Sequence, residues 1–256
     1  MKKRILSILL LCCMVLIMLP TTVLAADGPM DTIPKYDVSI DVYNRTSDIS
    51  IKDSRSYYIY SSVPDKLRDT WAWDKKIFIK GDKTAPHVFI DGVNIEMSPS
   101  SKGPAIELNK KASAYIYFIG KDSTLQGADG RAAIQKNRSE GQLYVLARTG
   151  TTVTCKGGYR AAGIGGSWAI RNIGDSMFNM DMYGHGVNMH FGSQSNPDYW
   201  GGTINATGGE YGAGIGAGSW GHSGHSGNTI HGGAGERLYF YSGTVNARGG
   251  RLAAGI

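Results

Sequence analysis

The chain repeats itself. GTINATGGEYGAGI, Gly202 to Ile215, returns 41 positions later as GTVNARGGRLAAGI, Gly243 to Ile256, and is preceded by 51 positions by TTVTCKGGYRAAGI, Thr151 to Ile164. A looser copy, GADGRAAI, ends at Ile134. A repeat in the range of roughly 20–50 residues marks a stacked architecture, in which each unit buries its apolar side only against the next.

Each copy carries its own geometry. Val153, Ile204 and Val245 are followed two places on by Cys155, Ala206 and Ala247. In a strand both positions share a face, so these point inward while Thr154, Asn205 and Asn246 point outward. A Gly-Gly pair follows each strand (Gly157-Gly158, Gly208-Gly209, Gly249-Gly250) and suits a tight corner, because glycine accepts positive φ and has no side chain. Ala-Gly-Ile closes each copy, the small residues admitting a neighbouring coil and the isoleucine filling the interior.

The spacing from Ile106 to Ile134 is 28 and from Ile134 to Ile164 is 30, one coil each; it is then 51 to Ile215 and 41 to Ile256. The longer spacings fit two coils, or one coil with an insertion. Asp175–His190 and Trp220–Gly233 fit the repeat poorly and favour insertions.

Upstream, apolar residues alternate at Val38, Ile40 and Val42 and at Ile49 and Ile51, and the run Tyr57 to Tyr60 follows; these read as half-buried strands. Val63 to Asp74 has some helical character or is a broad loop. From Lys75 short strands recur between turn residues: Ile77–Ile79, Val88–Ile90, Val93–Ile95, Ile106–Leu108, Tyr115–Ile119, Leu143–Leu146 and Val153–Cys155. No amphipathic stretch of helical length separates them, which argues against βαβ units.

Residues 1–25 are a different kind of segment. Lys2, Lys3 and Arg4 precede the apolar run Ile5–Leu19 and the small-residue exit Val23-Leu24-Ala25-Ala26, the pattern of a secretory signal peptide cleaved after Ala25 or Ala26. Cys12 and Cys13 lie within the apolar run without the small residues of a lipoprotein box, so no lipid anchor is expected. Removal of the three cations lowers the formal charge from +6 to +3, too mild a balance for a nucleic-acid partner. Cys155 alone remains, so no intramolecular disulfide is available. The expected organisation is a leader at 1–25, N-terminal strands at 26–75 acting as cap or first coils, and repeats at 76–256. The last repeat has no polar cap, and more chain is expected beyond it.

The series IDGVNIEMSPSSKGPAIEL, LQGADGRAAI, GGYRAAGIGG and GGTINATGGEYGAGIGAG resembles the Gly-rich repeat regions of secreted and surface proteins of Gram-positive bacteria. That resemblance, over roughly Ile77 to Ile256, implies an all-β, right-handed parallel β-helix of the pectate-lyase-like kind, sometimes labelled carbohydrate-binding. It transfers no catalytic motif. Gly184-His185-Gly186 is similar to an element of polygalacturonases, but the aspartate pair and the Arg-Ile-Lys that accompany it there are missing. Glycosidic acid–base chemistry needs two carboxylates at a set separation, and Asp122, Asp129, Asp175, Asp181 and Asp198 are scattered.

The expected function is therefore non-catalytic: a secreted or cell-surface protein, adhesive or glycan-binding, with polysaccharide or surface glycans as partner and no cofactor. A polysaccharide lyase or glycoside hydrolase and a structural spacer are the alternatives. Aromatic residues near coil edges, Trp168, Tyr199, Trp200, Trp220, Tyr159 and Tyr211, are the candidate sugar contacts, since a ring offers a flat apolar face with a polar tip. His222, His225 and His231, in GHSGHSGNTIH, are weak metal-ligand candidates without a nearby carboxylate or cysteine to complete a set.

Overall fold

The computed structural model describes residues 36–81, 84–98, 103–109, 111–136, 140–171, 184–222 and 230–256. Eighteen strands form three parallel sheets of seven, six and five strands, and one short 3₁₀ turn, Asp65–Leu67, is the helical content of the Val63–Asp74 stretch. The chain visits the sheets in rotation, and every inter-strand pair in them is parallel, so the fold is an all-β parallel β-helix.

The first face contains Val38–Asp41, Ser56–Tyr60, His87–Asp91, Ala114–Phe118, Leu143–Ala147, Gly186–Phe191 and Gly235–Phe240. The second contains Ile49–Ile51, Ile77–Lys80, Ile106–Asn109, Ile134–Gln135, Ile164–Gly165 and Ile215–Gly216. The third contains Ile95–Glu96, Ser123–Gln126, Thr152–Lys156, Thr203–Thr207 and Thr244–Arg248. The N-terminal strands are thus coils of the same stack.

Register turns the repeat into columns of side chains. On the second face Ile49, Ile77, Ile106, Ile134, Ile164 and Ile215 are aligned partners, all buried. On the third, Ile95, Leu125, Cys155, Ala206 and Ala247 align, shrinking along the stack. On the first, Val88, Ile116, Val145, Phe191 and Phe240 align, the last two being the largest. Trading volume between columns keeps the interior filled from coil to coil. Val153 and Cys155 face in and Thr154 is half-exposed, as the alternation requires. Outside, Asn246 donates to Asn205 at 2.9 Å, joining equivalent positions of neighbouring coils. Cys155 is a core residue whose thiol pKa is pushed up by burial.

The Gly-Gly corners work differently from the expectation. In two of the three copies positive φ falls not on the pair but two residues after its second glycine, at Arg160 (63°) and Leu252 (64°), with Gly130 (73°) in the looser copy, whereas Tyr211 of the middle copy is outside the left-handed region. The pair is required by close approach: a Cβ on Gly158, Gly209 or Gly250 would overlap the carbonyl oxygen of Ala128, Gly158 or Gly209 in the preceding coil. Between them the turn closes by Ala161 N–H to Gly158 O at 3.0 Å and Ala253 N–H to Gly250 O at 3.2 Å.

Aspartates stitch other corners together. Asp37, Asp48, Asp91 and Asp122 accept hydrogen bonds from the backbone N–H of Ser56, Lys76, Lys121 and Thr152 in the next coil, at 2.7–3.1 Å. Charge-assisted bonds of this kind satisfy amides that the sheets leave over.

The long spacings are single coils with insertions, because Ile164 pairs with Ile215. After the second face the strands Ala169–Arg171, Ser219–His222 and Ile230–Gly232 form a fourth sheet of their own. Asp175–His190 is not one irregular piece: Gly186–Phe191 is a regular strand of the first face. Met189 is core within that strand, whereas Met177, Met180 and Met182 lie outside the described residues. A further elaboration, residues 192–202, lengthens the other corner of the same coil.

Candidate functional site

At the corner between third and second faces the chain turns back at Gly158-Tyr159-Arg160-Ala161. Arg160 sits where the preceding coil has Gly130, in the same left-handed conformation. A residue with a Cβ rarely rests there, because the left-handed region crowds that atom. Without a Cβ, Gly130 leaves room above itself, and the first residues of the insertion use it: Trp168 N–H donates to Gly130 O at 2.9 Å, and the indole lies over the glycine.

The result is an alternating column. The Arg160 guanidinium stands 5.2 Å from the Trp168 ring and 5.7 Å from the Tyr211 ring of the next coil, with Tyr159 alongside at 4.9 Å. Arg251, one coil further, stands 5.6 Å from Tyr211 and donates to the Tyr211 hydroxyl at 2.9 Å. Cation–π contact of this spacing holds planar guanidinium groups against rings. Glu210 accepts from Arg251 Nε at 2.8 Å, and this bond holds the Arg251 pKa above its ordinary value. Arg160 meets no hydrogen-bond or ion-pair partner for its side chain among the described residues; its Nε is buried and unpaired, as is Trp168 Nε1. Tyr159 is 42% exposed.

Of the six aromatic candidates, Trp168, Tyr159 and Tyr211 therefore converge. Trp200 does not join them. It is 2% exposed, packed 5.0 Å from Tyr117 and edge-on to Tyr199 at 4.9 Å, because residues 192–202 fold it down as a lid on the outer side of the first face. Tyr199 belongs to that same lid, its carbonyl accepting from Thr149 N–H at 2.9 Å. Trp220 pairs through its backbone with Ala169 and His231, and its side chain lies outside the described residues. The same holds for the side chains of His222 and His231 and for all of His225; among the described residues no cluster of His, Cys, Asp and Glu is built to hold a metal.

Reasoning from sequence missed the two arginines of the column and, on the first face, a whole row of rings. His87, Tyr115, Tyr144, His190 and Tyr239 are register partners on the outer side, stacked at 4.7, 4.5, 4.3 and 4.7 Å. The available signal was the outward member of each strand in AYIYF, LYVLA, VNMHF and RLYFY. Rings this close shield one another's faces, so they lock coils together and leave edges, not platforms, toward solvent.

Burial lowers the His190 pKa, and its Nδ1 lies 3.1 Å from the Tyr241 hydroxyl. The unfolded imidazole takes up a proton near pH 6.5 while the folded one resists it. Stability is therefore expected to be complete above about pH 6.5 and to fall as pH drops below it, until the lowered folded value is passed. Melting temperatures from pH 7.5 to 5 should show this slope in the parent protein and a shallower one in His190→Phe; parallel slopes would refute it.

Of the acids, Asp122 is engaged with the Thr152 amide, Asp129 lies at the Gly130 turn, and Asp198 gives its carbonyl to Thr149. Asp175 and Asp181 lie outside the described residues. A cavity of about 520 Å³ borders Tyr211 and is walled by Ala213, Ile215, Leu238, Leu252 and Ile256, with no charged group. Comparison with family models, with curated proteins and with solved structures found no match.

Proposed function

We propose that this is a secreted, non-catalytic β-helix protein that binds glycans at the Tyr159–Arg160–Trp168–Tyr211 corner. The observation that carries the reading is the convergence there of three rings from two coils, one of them broadly exposed, around an arginine without a polar partner among the described residues. An aromatic face beside unpaired donors is what a sugar needs: C–H groups against the ring and hydroxyls toward the donors. A surface of this kind on a repetitive stack suits attachment to a cell surface or matrix.

The spacer alternative draws on the ring row of the first face, which stiffens the stack without offering a platform. For the enzyme alternative, Asp122 already serves a backbone amide and among the described residues no group of three or more His, Cys, Asp or Glu gathers at one place. A glycan array probed with the purified chain is expected to show saturable binding. Tyr159→Ala should weaken it by about tenfold, the ~1.4 kcal/mol of one ring contact, while Tyr144→Ala leaves it unchanged. Absence of binding to any glycan would remove the proposal, and equal loss in both variants would move the site elsewhere.

A further inference from the structure

Arg160 narrows the ligand class. Its guanidinium has Trp168 on one side and Tyr211 toward the other, with Tyr159 beside it, so rings occupy its surroundings. What remains toward solvent is its nitrogen edge: the terminal nitrogens are neither bonded to any described residue nor among the buried unpaired atoms, whereas Nε is buried and unpaired. An arginine set among rings with its terminal nitrogens open presents the planar fork that matches a carboxylate in bidentate fashion.

The local charge agrees. Glu210 is engaged by Arg251 and does not compensate Arg160. Lys156 and Arg248 end strands of the third face just before their Gly-Gly corners, and both are exposed. The apolar cavity beyond Tyr211 contributes no acid.

We infer that the corner recognises a carboxylate-bearing saccharide, with Arg160 binding the carboxylate and Tyr159 supporting the sugar ring. This rests on the glycan-binding reading and sharpens it. A neutral glycan leaves the Arg160 fork unpaired on binding, whereas a uronate or sialate unit fills it.

The test is titration calorimetry with a panel of uronate- and sialate-bearing oligosaccharides, each beside its neutral methyl ester, together with neutral oligosaccharides and dextran sulfate. At least one acid is expected to bind tenfold or more tightly than its ester, and less tightly as salt rises. Arg160→Gly should erase that preference; its backbone suits the left-handed corner, as Gly130 demonstrates, and circular dichroism confirms folding. Arg160→Lys should retain part of the preference, having charge without the fork. The ester comparison in the parent protein needs no variant. Equal binding of acid and ester overturns the inference and leaves glycan binding standing. Equal binding of dextran sulfate overturns it in favour of unspecific charge attraction. An acid preference that survives Arg160→Gly overturns the assignment to Arg160, and failure of every saccharide overturns the broader reading as well.

Discussion

Gly209→Ala should lower unfolding stability by on the order of 3 kcal/mol. The added methyl would overlap the carbonyl oxygen of Gly158, with the Arg160 amide nitrogen 3.1 Å away. Both are backbone atoms of the coil beneath, so no rotamer change relieves the clash; the two coils must separate locally. In a stack whose coils touch only their neighbours, that breaks the contact on which the next coil depends. Gly150→Ala is the control. Gly150 has φ +84° but nothing within 4 Å of a Cβ, so its cost is conformational and close to about 1 kcal/mol. Guanidinium denaturation followed by circular dichroism distinguishes the two. Equal costs would mean that φ, not coil spacing, selects glycine at these corners.

Trp200→Ala should be the other severe change, at about 3–5 kcal/mol, the range for removing a large buried aromatic side chain. Trp200 is among the largest fully buried side chains and covers Tyr117 on the first face. Trp200→Phe should cost far less. A ring still covers Tyr117, and the indole N–H that finds no acceptor inside is removed. Neither variant should alter glycan binding at the corner while folded. Normal stability with lost binding in Trp200→Ala would return this residue to the role its position in the sequence had implied.

Reading the chain unaided reached far into the interior and little onto the surface. The isoleucine column was legible because one residue type recurs at one place in each coil, and burial tolerates little else there. The inward and outward rows followed from period-two alternation. The insertions after Ile164 and Ile215 were legible as excess spacing, but their borders were not, since GVNMHF keeps strand alternation while lacking the glycine corner that marked the other copies. Trp200 looked like Trp168 in the sequence, an aromatic near a coil edge. Which one lies open depends on whether its segment folds down as a lid or leans over a glycine.

Composition and periodicity, then, determined an all-β stack, its inward columns and its Gly-Gly corners, because those features repeat and packing demands an apolar or small residue at each inward position. Only the tertiary structure decided the register by which Asp122 reaches the Thr152 amide and His190 stacks on Tyr144. It alone brought Trp168, Arg160 and Tyr211 together. Most of these pairings join residues tens of positions apart, at corners where many side chains satisfy the backbone equally well. The sequence constrains each residue by its own coil, whereas the site is made by the contact between coils.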